Sequence, residues 1–302
     1  MKRLIALLGA VALFAGACGD DDSPAPRAQS GKEKPASEFT VTGTEYAFDA
    51  PDEVTGGVVT MKFENKGQLK HEAVLLSIGD TPVAQAVKDF GPVLEGGPFP
   101  AYLNASGGVG TVDAGKSGTS TFMLDEGNYI FICVLSDADS MENPEAAGDL
   151  PPHFQSGMVK ALTVKGDNGR SLPAADGTIV ARDYSFEIPP LSAGSKTLVF
   201  KNESAEQLHH VVLMEFPAGM DEAGAAKAFE AMASAGPDSP PPSGPMPEEI
   251  GGSAVFGPGL GGTFEAKFQA GRTYAALCFI SDRAGGPPHA FGHQMVKFFT
   301  VS

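Results

Sequence analysis

The chain has 302 residues, enough for two domains of ordinary size, each burying its own core. With 42% apolar and 19% charged residues most of it is expected to fold, and its 38 Gly and 24 Pro suit short strands joined by many turns. The formal net charge of −16 argues against a nucleic-acid partner and would steer a basic protein partner at low salt, although a generic solubilising surface accounts for it equally well.

Residues 1–17 read as a signal peptide. Lys2 and Arg3 precede an apolar stretch, Leu4 to Phe14, that is too short to span a membrane, and small residues follow. The run Ala15-Gly16-Ala17-Cys18 resembles a bacterial lipobox, which implies that Cys18 is lipidated and becomes the first mature residue. An ordinary secretory signal ending near Ala17 is the alternative. Residues 18–37 form a polar tether, opening with Asp20, Asp21 and Asp22. The expected address is the outer face of a bacterial membrane, in the cell envelope, with the lipid anchor as the membrane contact.

Two folded units are expected, 38–167 and 171–302, because the second half repeats the first. Glu45-Tyr46-Ala47-Phe48 matches Asp183-Tyr184-Ser185-Phe186, and Phe63-Glu64-Asn65 matches Phe200-Lys201-Asn202. His71-Glu72-Ala73-Val74 matches His209-His210-Val211-Val212. Tyr129 and Tyr274 each stand four residues before a cysteine, both cysteines lead into Ser-Asp (Ser136-Asp137, Ser281-Asp282), and Pro151-Pro152-His153 matches Pro287-Pro288-His289.

Val-, Thr- and Phe-rich runs predict strands near 39–48, 57–65, 70–77, 117–124, 128–135 and 157–164. Counterparts fall near 177–187, 195–202, 208–215, 263–268, 273–280 and 294–301. One short helix interrupts each half, about 82–90 and 221–233. A Gly/Pro-rich loop follows each helix, Pro240-Pro241-Pro242 included, and reads as a surface insertion. The fold class is all-β, two tandem antiparallel sandwiches.

Each half carries His, Cys, His and Met in that order: His71, Cys133, His153 and Met158, then His209, Cys278, His289 and Met295. Two imidazoles, a thiolate and a thioether are the ligands of a blue-copper electron-transfer site, so two copper ions are the expected cofactors. Alternation along Tyr129, Phe131 and Cys133 puts the thiol on one face at a strand end. All six histidines fall in ligand-bearing segments, and of three cysteines one fits the lipobox while the others are equivalent. A Cys133–Cys278 disulfide is the rival use of the two thiols in an exported protein.

Residues about 39–166 and 172–302 resemble the cupredoxins, which implies two Greek-key β-sandwiches. Asn65, a turn and His71-Glu72 resemble the family segment that supplies the first histidine. His153-Phe-Gln-Ser-Gly-Met158 resembles the ending of the nitrite-reductase-type domain. The resemblance gives Asn202, His209, Cys278, His289 and Met295 the same roles. The ligand loops are longer than in small cupredoxins. The extra residue between His289 and Met295 leaves Gln294 or a backbone carbonyl as alternative axial donors, and His293 as an alternative to His289. His210, following a ligand on a strand, is expected on the opposite face, exposed to solvent or between domains.

The function these readings imply is a membrane-tethered electron-transfer or copper-binding protein, acting with a redox partner and without substrate chemistry of its own. A multicopper oxidase or nitrite reductase would need further imidazoles for a second copper centre. Ile132 and Leu277, not histidines, precede the cysteines, and only His210 and His293 are spare. A metal-free interaction module is the third reading.

Overall fold

The computed structural model describes residues 37–141, 150–234 and 246–302. The signal peptide, Cys18, the tether as far as residue 36 and the Pro240 to Pro242 run lie outside the described residues.

Alternation decides which segments become strands. In Phe39-Thr40-Val41 and Phe264-Glu265-Ala266-Lys267-Phe268 the apolar side chains are buried and the polar ones face solvent, so each strand offers one face to a core. The first half contains β1 (Ser37–Thr44), β2 (Ala47–Asp49), β3 (Glu53–Asn65), β4 (His71–Ser77), helix α1 (Val83–Phe90), β5 (Asn104–Val112), β6 (Ser117–Leu124), β7 (Gly127–Ile132) and β8 (Val159–Asp167). The second contains β9 (Gly177–Arg182), β10 (Ser185–Glu187), β11 (Gly194–Asn202), β12 (Val212–Glu215), helix α2 (Glu222–Ser234), β13 (Glu248–Gly252), β14 (Gly261–Phe268), β15 (Thr273–Leu277), the single turn α3 (His289–Gly292) and β16 (Val296–Thr300).

Pairing repeats strand for strand. One sheet of the first half runs β2-β1-β3-β6 and the other β8-β7-β4-β5; the second half runs β10-β9-β11-β14 and β16-β15-β12-β13. In each, the first strand pairs parallel with the third (β1 with β3, β9 with β11), and nearly every other ladder is antiparallel. The exception is the start of β3, where Glu53 pairs parallel with Thr163 of β8 and joins the two sheets. The halves meet where Gly262 of β14 pairs with Phe122 of β6. Around that seam Phe256 packs near Phe122 and Phe200.

The predicted strands 39–48 and 177–187 are each broken in two by a tight turn, with Tyr46 (φ 59°) and Asp183 (φ 46°) in the left-handed region. The segments read as surface insertions contain two strands, β5 and β13. β5 is largely buried, and its glycines serve close approach: a Cβ on Gly107 (φ 90°) would lie 2.8 Å from the Phe256 ring, and one on Gly108 would strike the Ala73 carbonyl. Helix α1 ends where Pro92 would lose a backbone donor, and Phe90 packs edge-on against Phe99 and Phe154.

Candidate metal centres

Each centre is assembled at one end of its sandwich. Asn65, closing β3, sends its Nδ2 to the carbonyls of Leu69 and Val112 (both 2.8 Å) while its Oδ1 accepts Gly67 N–H. This fixes the turn that delivers His71 to the start of β4, opposite Val112 of β5. Asn202 repeats the device, bonding Gln207 O and Phe256 O (both 2.8 Å), with Ser204 N–H on its Oδ1. His209 then exchanges backbone hydrogen bonds with Phe256.

The cysteines follow directly on β7 and β15 and face the core that also takes Tyr129 and Phe131, as the alternation requires. The second histidine of each centre sits on a single helical turn clamped to its cysteine: Phe154 N–H bonds Cys133 O (3.0 Å), and Ala290 N–H bonds Cys278 O (2.8 Å). Met158 N–H returns to His153 O, and Met295 N–H to His289 O, both at 3.0 Å. The extra residue before Met295 is absorbed by Gln294 at φ 54°, the role Gly157 (φ 106°) has in the first half. Both methionines are fully buried in the core that holds the two thiols.

Three donor atoms converge in each half, and they are the same three. Cys133 Sγ lies 3.9 Å from His71 Nδ1 and 3.4 Å from His153 Nδ1, with 3.0 Å between the nitrogens. Cys278 Sγ lies 3.6 Å from His209 Nδ1 and 3.5 Å from His289 Nδ1, with 3.2 Å between the nitrogens. Bonds of ~2.0 Å to nitrogen and ~2.3 Å to sulfur around a central ion would set nitrogens ~3.5 Å apart and sulfur ~3.7 Å from each. The triangles fit that geometry, and these two His/Cys/His groups could each hold a metal ion. All six side chains are inaccessible to solvent, and Cys133 and Cys278 are free thiols with no bond between them.

Burial sets the protonation states. It pushes His71 and His289 down to about 4 and His209 to about 3, the neighbouring imidazole adding to the effect at His71 and His209. It pushes the Cys278 thiol up to about 12, and raises Cys133 likewise, with Glu72 adding to the rise. At neutral pH the imidazoles are therefore neutral, with lone pairs to offer, and the thiols keep their protons until a cation displaces them. Glu72 N–H lies 3.4 Å from Cys133 Sγ, a donor ready for the thiolate.

His210 is not exposed. It is buried, and its Nε2 accepts the N–H of Phe279, the residue after Cys278 (2.9 Å). Glu72 does the same in the first half, its Oε1 accepting Val134 N–H at 3.1 Å. His293 stays outside the triangle, 34% exposed, stacked on Tyr184 at 3.7 Å with its Nε2 2.7 Å from Asp282. Of these outer partners, the matched Tyr46/Tyr184 and Ser-Asp pairs are the visible trace in the sequence.

No protein-family model matches the chain, and no curated protein matches it. Its structural neighbours are cupredoxins and a multicopper oxidase. Dithionite-reduced auracyanin from Roseiflexus castenholzii is 23% identical over 43% of this chain and 98% of its own, with a TM-score of 0.29. An azurin from Methylomonas sp. strain J is 19% identical over 43% and 99%, TM-score 0.28. The multicopper oxidase is 14% identical over 88% of both chains, TM-score 0.23. Among the described residues no helix is long and apolar enough to cross a membrane.

Proposed function

We propose that this protein is a two-centre blue-copper electron carrier. His71, Cys133 and His153, with Met158 as the thioether beside them, would hold one ion. His209, Cys278 and His289, with Met295 as the thioether, would hold the other. The observation that carries the reading is the duplicated triangle: two Nδ1 atoms and one Sγ, at 3.0–3.9 Å in one half and 3.2–3.6 Å in the other, sealed from water. Copper in such a donor set supplies one-electron chemistry.

The chain's own contribution is rigidity and exclusion. Strand ends and Asn-anchored turns fix the donors, so a change of oxidation state demands little rearrangement, and burial keeps water from becoming a further ligand. Neither spare histidine is idle, since His210 accepts a backbone N–H and His293 faces Asp282. That favours electron transfer over substrate chemistry, which would call on additional imidazoles at a second centre. Lipidation at Cys18 would hold the carrier at the outer face of a membrane, where its acidic surface would meet a basic redox partner.

The test is to express the chain without its first 36 residues, add Cu(II), and record visible absorption and metal stoichiometry. Two coppers per chain and an intense thiolate-to-copper band are expected, with Cys133→Ser and Cys278→Ser each abolishing one centre. A colourless protein that takes up no copper would defeat the proposal, and monomer turnover of nitrite or of oxygen with a reducing substrate would replace it with an enzyme.

A further inference from the structure

The two outer partners that recur in both halves form a second repeated constellation. Asp137 lies four residues beyond Cys133 and Asp282 four beyond Cys278, each as the acid of a Ser-Asp pair. Tyr46 and Tyr184 come from the turns that split β1 from β2 and β9 from β10. In space they meet at the far side of the second histidine. Tyr46 OH donates to Asp137 (2.9 Å to Oδ1, 3.1 Å to Oδ2), and Asp137 Oδ1 is hydrogen-bonded to His153 Nε2 at 3.1 Å. Tyr184 OH donates to Asp282 Oδ1 at 2.8 Å, and the same oxygen lies 3.2 Å from His289 Nε2, close but not aligned as a hydrogen bond. Each tyrosine ring also stands edge-on against its histidine, at 5.3 and 5.2 Å.

We infer that Asp137 is a positioning residue that holds the proton of His153 on Nε2 so that Nδ1 turns an unprotonated lone pair into the triangle, that Asp282 acts on His289 in the same sense through its unaligned 3.2 Å contact, and that Tyr46 and Tyr184 hold the carboxylates in place. The inference rests on the metal-centre reading above and deepens it. An imidazole has two tautomers, and only the one protonated at Nε2 leaves Nδ1 free to coordinate. Nδ1 of His153 and of His289 faces another nitrogen and a sulfur, so nothing in the triangle selects between tautomers without an acceptor outside it. A carboxylate accepts only, and so makes the selection. The two halves differ in one respect. Asp282 also engages His293 through Oδ2 at 2.7 Å, so its hold on His289 is shared, whereas Asp137 has no second imidazole in hydrogen-bonding reach among the described residues.

The fit is testable in the metal-free protein. Long-range proton–nitrogen NMR reads the tautomer of each histidine, and a copper titration against a competing chelator reads each centre's affinity. In the wild-type protein His153 is expected as the Nε2–H form. Asp137→Ala should move His153 towards Nδ1–H and weaken copper at the first centre by roughly 10- to 100-fold, leaving the second centre as the internal control. Asp137→Asn keeps an acceptor oxygen and should restore most of both. Tyr46→Phe should fall between. Asp282→Ala should act on His289 in the same sense, and less strongly. Asp137 is 40% exposed, so its removal opens no sealed cavity, and an intact second centre certifies the fold. An Asp137→Ala protein with unchanged His153 tautomer and unchanged affinity would overturn the inference. Failure of the wild-type protein to take up copper would defeat the carrier reading instead, while the tautomer measurement would still decide the role of the aspartates.

Discussion

Glu72 and His210 show how the same position can be filled by an acid in one half and a base in the other. Both accept the N–H of the residue after the cysteine, and both are buried. Replacing either by Ala removes the partner of a half-buried backbone donor, which should cost about 1 kcal/mol in urea unfolding. The pair also opposes itself in pH dependence. Burial drives His210 down to about 4, as it does His71 and His289, and His209 to about 3; these histidines take up a proton on unfolding below about 6.5, so stability rises with pH from about 4 to 6.5. Burial drives Glu72 and Glu249 up to about 7, so they lose a proton on unfolding above about 4.5, and stability falls as pH rises towards 7. Four groups outweigh two. The metal-free protein should gain at most about 3 kcal/mol per pH unit through pH 5–6, reach its maximum near 7, and level off above. Denaturant titrations between pH 4.5 and 8 check this, and a monotonic rise through pH 7.5 would contradict it. The four histidines and two cysteines that converge in the two triangles were legible in the sequence because soft donors are scarce and recur in order. His210 was not. Alternation places it on the far face of its strand, expected in solvent or between domains, but in this fold that face is covered and the side chain meets Phe279.

At the scale of elements, the strands that alternate were readable and those built of glycine were not. β5 (Asn104–Val112) and β13 (Glu248–Gly252) lack side-chain periodicity because neighbouring chains fill the space a Cβ would need: Gly107 against Phe256, Gly252 against the Val211 carbonyl. Composition alone reads such segments as loops, and only the packed neighbour distinguishes them. The splitting of β1 from β2 was hidden for a similar reason, since a non-glycine residue at φ 59° carries no sequence mark. The same close packing reaches the first centre through β1. A Cβ on Gly43 would lie 2.7 Å from the Phe63 ring and 3.2 Å from the Met158 methyl. The fully buried Phe63 ring must shift to open the 2.7 Å contact, and the softer Met158 beside it gives by a few tenths of an ångström. Gly43→Ala should therefore cost about 1–3 kcal/mol by overpacking and displace the thioether. In a Cys278→Ser background, which isolates the first centre, the copper absorption band should shift while the centre still fills. An unshifted band would mean that Met158 is not near the copper.

At the scale of the molecule, the two halves are joined through the loop that connects Cys278 to His289. Arg283 on that loop reaches into the first half, donating Nη1 to Leu103 O (3.0 Å) and Nη2 to Asn104 Oδ1 (2.7 Å), with Nε on Glu206 O (2.7 Å) and the guanidinium over the Phe99 ring at 5.3 Å. Phe99 N–H returns to Arg283 O at 2.8 Å, and Gly286 N–H reaches Gly96 O at 3.3 Å. From Phe99 the contact continues through Phe90 to Phe154, the residue beside His153. The ligand loops of both centres thus share one packed junction, and a residue that loosens it should be felt as lost cooperativity between the halves. Arg283→Met keeps an apolar stem against Phe99 but removes the three donors, a loss of about 3 kcal/mol given the strength of charged hydrogen bonds. The wild-type protein should melt in one calorimetric transition. The variant should melt lower and more broadly, with a calorimetric enthalpy exceeding the van't Hoff value, as expected when two halves unfold separately. A variant that still melts as one sharp unit would assign the coupling to the Phe122–Phe256 seam, where β6 meets β14, rather than to the arginine.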